Sequence, residues 1–534
     1  MRLHAFVNEP TEWSMTASRD VPDPFSTVDL DVVLTAPSGR RLVAPAFWGG
    51  GREWRVRVAA DEAGEYRWRS EARGAEGVGL DGLEGELVVS PYTGTNPLYR
   101  HGALRVARSG RSLEHADGAP FFWLADTWWM GLCKRLGWPG DFQWLVSDRV
   151  EKGYTVIQIV AGLYPDMDAF DDRGRNEAGF PWEPGWTAIR PEYFDAADAR
   201  IHWLVRSGLV PCIVGCWGYY LGRLGVEKMK RHWRYLVARW GAYPVTWCLA
   251  GEVLMPYYLD PLPDQAAREA YAQEARARWS EIARYVRSID PYGLLMTAHP
   301  GDSARASVDD DVLDFDMLQT GHGDRTSLPN TVEQVVRSYS RRPVKPVIDG
   351  EVCYEGIGEA SRQEVQRMMF WVCMLSGACG HTYGANGIWQ VNGKEQPYGP
   401  SPHGMAWGDT PWEEACRLPG GAQVGIGKRL LDRYEWWRFE PHPEWVEPHW
   451  TPQNYMAPYA AGIPGRVRVV YCPTYLGAVT LCGLEAGVEY RAYLFDPKNG
   501  RETEAGIAVG DAEGRWRTPH LPIYQDWVVV AEKR

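Results

Sequence analysis

Eight short apolar runs alternate with longer segments of helical periodicity between residues 121 and 383, and no other feature limits the possible folds as strongly. This alternation predicts a parallel sheet whose strands are joined by crossover helices. The predicted strands cover residues 121–125, 155–160, 209–214, 245–249, 294–298, 315–319, 345–348 and 379–383. Since eight such strands close naturally into a barrel, we predict an α/β fold, a (β/α)8 TIM barrel.

The segments between these runs supply the crossover helices. Helices are predicted at residues 142–152, 193–207, 226–240, 265–288, 331–341 and 361–376. In a barrel of this kind, the loops at the carboxyl ends of the strands build the active site. Residues that directly follow a strand are therefore the first candidates for function.

The two ends of the chain have a different pattern. Residues 1–97 alternate polar and apolar positions in short runs separated by turn signals, which predicts an immunoglobulin-like β-sandwich. Residues 98–464 form the predicted catalytic barrel domain, and their last part, from residue 385, is rich in Gly, Pro and Trp and predicts covering loops with a helix near 425–436. Residues 465–534 alternate again and predict a C-terminal β-sandwich.

Charge and termini restrict the partners. The net charge is −12 and no long basic run is present, which argues against nucleic acid and anionic membranes as partners. The amino terminus lacks the apolar run of a signal peptide, and no stretch reaches the ~20 apolar residues of a spanning helix, so a cytoplasmic location is expected. Ten cysteines without framework spacing fit reduced thiols. A homo-oligomer is compatible with the sequence, which does not specify one.

Two of the predicted strands end in the same dipeptide, Gly-Glu. Glu252 follows the fourth predicted strand and Glu351 follows the seventh. Strands four and seven lie on opposite sides of a barrel mouth, where a retaining glycosidase needs a nucleophile and an acid about 5 to 5.5 Å apart. The alternative is that each glutamate merely pairs with an Arg or Lys. We predict that Glu252 and Glu351 are the catalytic pair.

Other strand ends carry aromatic and polar side chains that could bind a sugar. Aromatic faces stack on sugar rings, and a carboxylate accepts hydrogen bonds from adjacent hydroxyls, although core packing is the alternative for each ring. The predicted substrate-binding residues are Asp126, Trp128, Gln158, Trp217, Tyr220, His299, His322, Tyr354 and Trp389. The sequence has no Gly-x-Ser-x-Gly elbow, phosphate loop or His-Glu-x-x-His motif, so neither a metal nor an organic cofactor is predicted.

Three segments carry a resemblance to a known family. Residues 117–128 (DGAPFFWLADTW), 152–158 (KGYTVIQ) and 349–356 (DGEVCYEG) resemble the apiosidase-like glycoside hydrolases, and the similarity extends over about residues 100 to 400. The resemblance implies a retaining barrel glycosidase with flanking sandwiches, with Glu252 as acid/base and Glu351 as nucleophile. Two departures stand out: Gly251 replaces the Asn that usually precedes the acid/base, and Glu252 stands where apiosidases have Asp.

The leading hypothesis is an exo-acting retaining glycosidase that removes a terminal sugar, apiose or another furanose or pentose, from a small glycoside or oligosaccharide. One alternative is a non-catalytic carbohydrate-binding protein. Another is an endo-acting polysaccharide hydrolase, which needs an open groove, whereas the Trp-rich loops at residues 385–415 favour a closed pocket.

Overall fold

The centre of the computed structural model, which describes residues 1–74 and 76–534, is a nearly closed barrel of eight parallel strands. The strands are β1 Trp123–Trp128, β2 Val156–Val160, β3 Val210–Val214, β4 Thr246–Cys248, β5 Met296–Thr297, β6 Asp316–Gln319, β7 Val347–Glu351 and β8 Gly380–Tyr383. Each strand overlaps one of the predicted runs, which confirms the (β/α)8 fold. The seventh strand continues through Glu351, three residues past its predicted end.

The ladder runs in the order β5, β4, β3, β2, β1, β8, β7, β6, so β1 pairs with β8. Between β5 and β6 the barrel is held by single contacts instead of a ladder. The Asp314 amide donates to the Met296 carbonyl (2.9 Å), and the Thr297 hydroxyl donates to the Phe315 carbonyl (3.1 Å). The strand ends therefore still surround one mouth.

The main helices are Gly140–Lys152, Pro191–Arg206, Tyr220–Trp240, Gln265–Ile289, Leu328–Ser340, Gln363–Leu375 and Pro419–Leu431. Gln363–Leu375 is buried along nearly its whole length because Pro419–Leu431 covers it. Gly427 permits this close packing, since a Cβ there would lie 2.4 Å from Phe370 Cε1. The predicted helix near residues 425–436 thus begins and ends earlier in the chain.

The N-terminal part consists of two packed sheets. One contains Arg2–Phe6, Glu84–Ser90, Gly64–Arg73, Asp29–Thr35 and Arg41–Pro45, and the other contains Thr11–Thr16, Glu53–Val58 and Phe47–Gly50. Trp13 and Trp68 meet between them, with ring centroids 5.2 Å apart. Buried Arg57 anchors the sheets to the barrel helices, where it pairs with Asp198 and donates to the Arg239 carbonyl (2.7 Å).

Two further sheets follow the barrel. The larger contains Glu440–Pro441, Tyr459–Ile463, Val467–Cys472, Trp527–Lys533, Glu489–Phe495 and Glu502–Val509, and the smaller contains Val446–Glu447, Thr480–Leu481 and Trp516–Arg517. These sheets begin before the predicted boundary at residue 465. Arg367 on a barrel helix connects the barrel to these sheets through two hydrogen bonds to the Asp526 carboxylate (2.7 and 2.8 Å).

In the described part of the chain, no helix has both the length and the apolar character needed to cross a membrane.

Candidate active site

Glu252 and Glu351 both lie at the mouth of the barrel. Glu351 is the last residue of β7, and Glu252 follows β4 with φ of +41°, a region that non-glycine residues rarely occupy. Gly251 is required here because a Cβ at that position would lie 2.2 Å from Trp217 Cε3. The asparagine expected from the wider group would therefore collide with the Trp217 ring.

Gln319, the last residue of β6, links the two glutamates. Its Nε2 donates to Glu252 Oε1 (3.2 Å) and to Glu351 Oε1 (3.1 Å). Two hydrogen bonds through one nitrogen keep those oxygens within about 6 Å of each other. This upper limit is compatible with the carboxyl separation of about 5 to 5.5 Å that retaining glycosidases have.

Polar side chains surround the Glu351 carboxylate. His322 Nε2 lies 2.8 Å from its Oε1, His299 Nε2 lies 3.2 Å from its Oε2, and the Tyr354 hydroxyl donates to Oε2. Trp129 Nε1 in turn donates to the Tyr354 oxygen (2.9 Å). Burial opposes the charged carboxylate, but the contacts with His299 and His322 outweigh it and lower the pKa of Glu351. This carboxylate is therefore ionised at neutral pH.

Glu252 has the opposite environment. Burial raises its pKa, and the negative charge of Glu351 raises it further. The bonds from Gln319 and from Trp217 Nε1 (3.2 Å to Oε2) offset only part of this effect. A carboxylate of lowered pKa beside one of raised pKa can act as a base or nucleophile and an acid at the same pH.

The two glutamates face a cavity of about 200 Å³ that we call the inner cavity. Its other lining residues are Trp129, Pro165, Asp166, Trp217, Met255, Tyr258, Gln319, His322, Tyr354, Ile357, Trp389, His403 and Trp407. Drug-sized ligands need about 300 to 1,000 Å³, so the inner cavity fits a smaller group than these. Of the predicted binding residues, the structure brings Trp217, His322, Tyr354 and Trp389 to this cavity, and it places His299 against Glu351.

Four predicted binding residues lie elsewhere. Asp126 and Trp128 are fully buried between the barrel wall and the surrounding helices. Strand β1 continues through Trp128, and side chains two residues apart on a strand point to the same face, here the outer face of the barrel. Trp129 enters the mouth in their place. Gln158 lies inside the barrel, where it donates to the Gly350 carbonyl (2.8 Å). Tyr220 stacks on Tyr219, with ring centroids 4.6 Å apart, beside a separate small cavity.

Asp126 instead forms a buried ion pair with Arg149, whose Nε lies 2.5 Å from its Oδ2. We expect Asp126→Ala to lower the free energy of unfolding by about 3 kcal/mol, the lower end for a broken buried pair because Asp148 still contacts Arg149. Urea unfolding measures this loss. Glu65→Ala, which removes an exposed partner of Arg2, should leave the midpoint unchanged. Equal midpoints for both variants would contradict a structural role for Asp126.

The cavity residues that sequence reasoning missed include Gln319, Asp166, His403 and Trp407. Asp166 is buried with φ of +59°, accepts from Trp407 Nε1 (2.6 Å), and lies 4.0 Å from His403 Nδ1. Burial raises its pKa. The Trp-rich stretch at residues 385–415 was a signal for Trp407, whereas Asp166 lies in a loop without periodicity.

No group of three or more His, Cys, Asp or Glu in the described residues is arranged to hold a metal.

Comparisons with known proteins point to one family. The apiosidase-like catalytic domain matches residues 107–438, and a domain of unknown function (DUF5060) matches residues 7–73. A glycoside hydrolase structure is 24% identical with a TM-score of 0.64 and covers 82% of this chain and 98% of its own. A family 5 glycoside hydrolase from Bacteroides vulgatus ATCC 8482 is 23% identical with a TM-score of 0.65, covering 82% and 95%. Among curated proteins, no sequence matches.

Proposed function

The chain belongs to the apiosidase-like family of glycoside hydrolases, and from this premise we propose that it removes one terminal sugar with retention of configuration. The observation that carries the proposal is the Gln319 amide bound to both Glu252 and Glu351. It supports a carboxyl separation suited to a covalent intermediate.

In the proposed mechanism, ionised Glu351 attacks the anomeric carbon while Glu252 donates its proton to the leaving oxygen. The resulting ester has no charge on Glu351. Because that charge is one cause of the raised pKa of Glu252, the pKa of Glu252 then falls. Glu252 can next accept a proton from the water that hydrolyses the ester, which restores both residues.

The size of the inner cavity supports exo action. It holds about 200 Å³, and Trp389 and Trp407 from the loops after β8 form part of its wall. An endo-acting enzyme must pass a polymer through its site, which requires a groove open at both ends. We propose a small terminal sugar, apiose or another furanose or pentose, as the group removed.

A panel of aryl glycosides, both furanosides and pyranosides, tests the proposed function. We expect turnover of a small sugar, and proton NMR of the first product should show the anomeric configuration of the substrate. An inverted product would refute retention. If no panel member is hydrolysed but free sugars bind in calorimetry, the alternative of a non-catalytic binding protein is supported instead.

A further inference from the structure

A second cavity of about 540 Å³ adjoins the inner cavity. We call it the outer groove; its walls include Leu254, Met255, Tyr257, Tyr258, Tyr271 and Ala272. Met255, Tyr258 and His403 line both cavities, so the two are direct neighbours that share a wall. The wall begins two residues after Glu252, and the Met255 amide donates to the Glu252 carbonyl (2.8 Å).

The position of the outer groove relative to Glu252 determines what can occupy it. A general acid protonates the oxygen of the departing group, so this group lies on the side of the acid and away from the nucleophile. Resting on the proposed function, we propose that the outer groove binds the aglycone of the substrate, and that this aglycone is a planar phenol. The sugar would occupy the inner cavity and the phenol the outer groove.

The walls of the outer groove favour a flat, mostly apolar ring. Tyr257, Tyr258 and Tyr271 are half-buried. The polar lining side chains are exposed at the rim: Asp260, Gln265, Arg268 and Glu269. A sugar carries hydroxyls around its whole ring and needs polar partners on the walls. A planar phenol has two apolar faces for aromatic contacts and directs its polar edge to the rim. The groove volume lies in the roughly 300 to 1,000 Å³ range of drug-sized ligands.

Tyr258 is placed to contact substrate where the two cavities meet. Its hydroxyl oxygen accepts from the Asp166 amide (3.0 Å), and its ring stacks on His403 with centroids 5.0 Å apart. Burial raises the pKa of Tyr258 well above its usual range, so the hydroxyl keeps its proton. Within the described chain no side chain or carbonyl accepts that proton, which leaves it free to donate to the substrate.

A groove-filling variant on helix Gln265–Ile289 tests the proposal. Ala272 lines the outer groove, whereas Ala270 on the same helix is exposed and does not. The probe is 4-methylumbelliferone, a planar phenol, and calorimetry with the full chain measures its binding. We expect Ala272→Trp to weaken binding at least tenfold and Ala270→Trp to leave it unchanged. The proposal is overturned if the wild type does not bind the probe, or if Ala272→Trp binds it as well as the wild type.

Turnover gives a second, independent readout. With one sugar that the panel shows to be hydrolysed, Ala272→Trp should lower kcat/KM for the 4-methylumbelliferyl glycoside about tenfold. It should leave kcat/KM unchanged for the glycosyl fluoride, whose leaving group needs no groove. Equal losses on both substrates would contradict aglycone binding. Because the calorimetric test involves no turnover, a failure of the proposed glycosidase mechanism and a failure of the groove proposal are distinguishable.

Discussion

Replacing Glu351 with alanine should lower turnover by about 10,000-fold or more, since a nucleophile's removal costs at least this much in other enzymes. Glu252 cannot take over, because it is required as the acid. Added azide or formate should occupy the space of the lost carboxylate and attack the anomeric carbon directly. One displacement replaces two, so the product should have inverted configuration. Kinetics with and without azide, followed by NMR of the product, measure both effects.

Glu351→Gln is the matched control, because it keeps the shape of the side chain and fills the space that azide would need. It should be as inactive as Glu351→Ala yet show no rescue. The assignment of roles is reversed if azide instead rescues Glu252→Ala with an inverted product.

The sequence predicted the barrel because each strand is a short apolar run. Such a run can be recognised whatever the conformation of the loops that flank it. It also predicted the pairing of Glu252 with Glu351, since strand ends four and seven of a barrel face one mouth. The apolar pattern does not mark the last residue of a strand. β1 continues three residues past its predicted end, which turns Asp126 and Trp128 toward the helices and brings Trp129 into the mouth.

The contacts that tune the site depend on tertiary structure. Gln319 looks like any polar residue at a strand end, and only its position between two carboxylates gives it a role. Asp166 and Trp407 come from loops 241 residues apart. Their meeting follows from the closing of the barrel, and no local pattern predicts it. The need for glycine at position 251 also depends on tertiary structure, because a side chain there would collide with the ring of Trp217.

Replacing Glu252 with alanine should affect substrates according to their leaving groups. Glycosides with poor leaving groups need a proton and should lose about 100- to 10,000-fold in kcat/KM, the usual contribution of general acid catalysis. Glycosides with activated leaving groups need no proton and should keep nearly normal kcat/KM. A plot of log kcat/KM against leaving-group pKa should therefore be steeper for Glu252→Ala than for the wild type. Equal slopes would contradict the acid role.

The pH dependence provides the final test of the pair. In the wild type, kcat/KM should fall at low pH as Glu351 gains a proton, and this limb lies at low pH because the pKa of Glu351 is lowered. It should fall again at higher pH as Glu252 loses its proton, and burial together with the Glu351 charge moves that limb upward. Glu252→Gln should abolish the high-pH limb and keep the low-pH limb, because an amide does not titrate here. Loss of the low-pH limb instead would mean that Glu252 is the group that must be ionised.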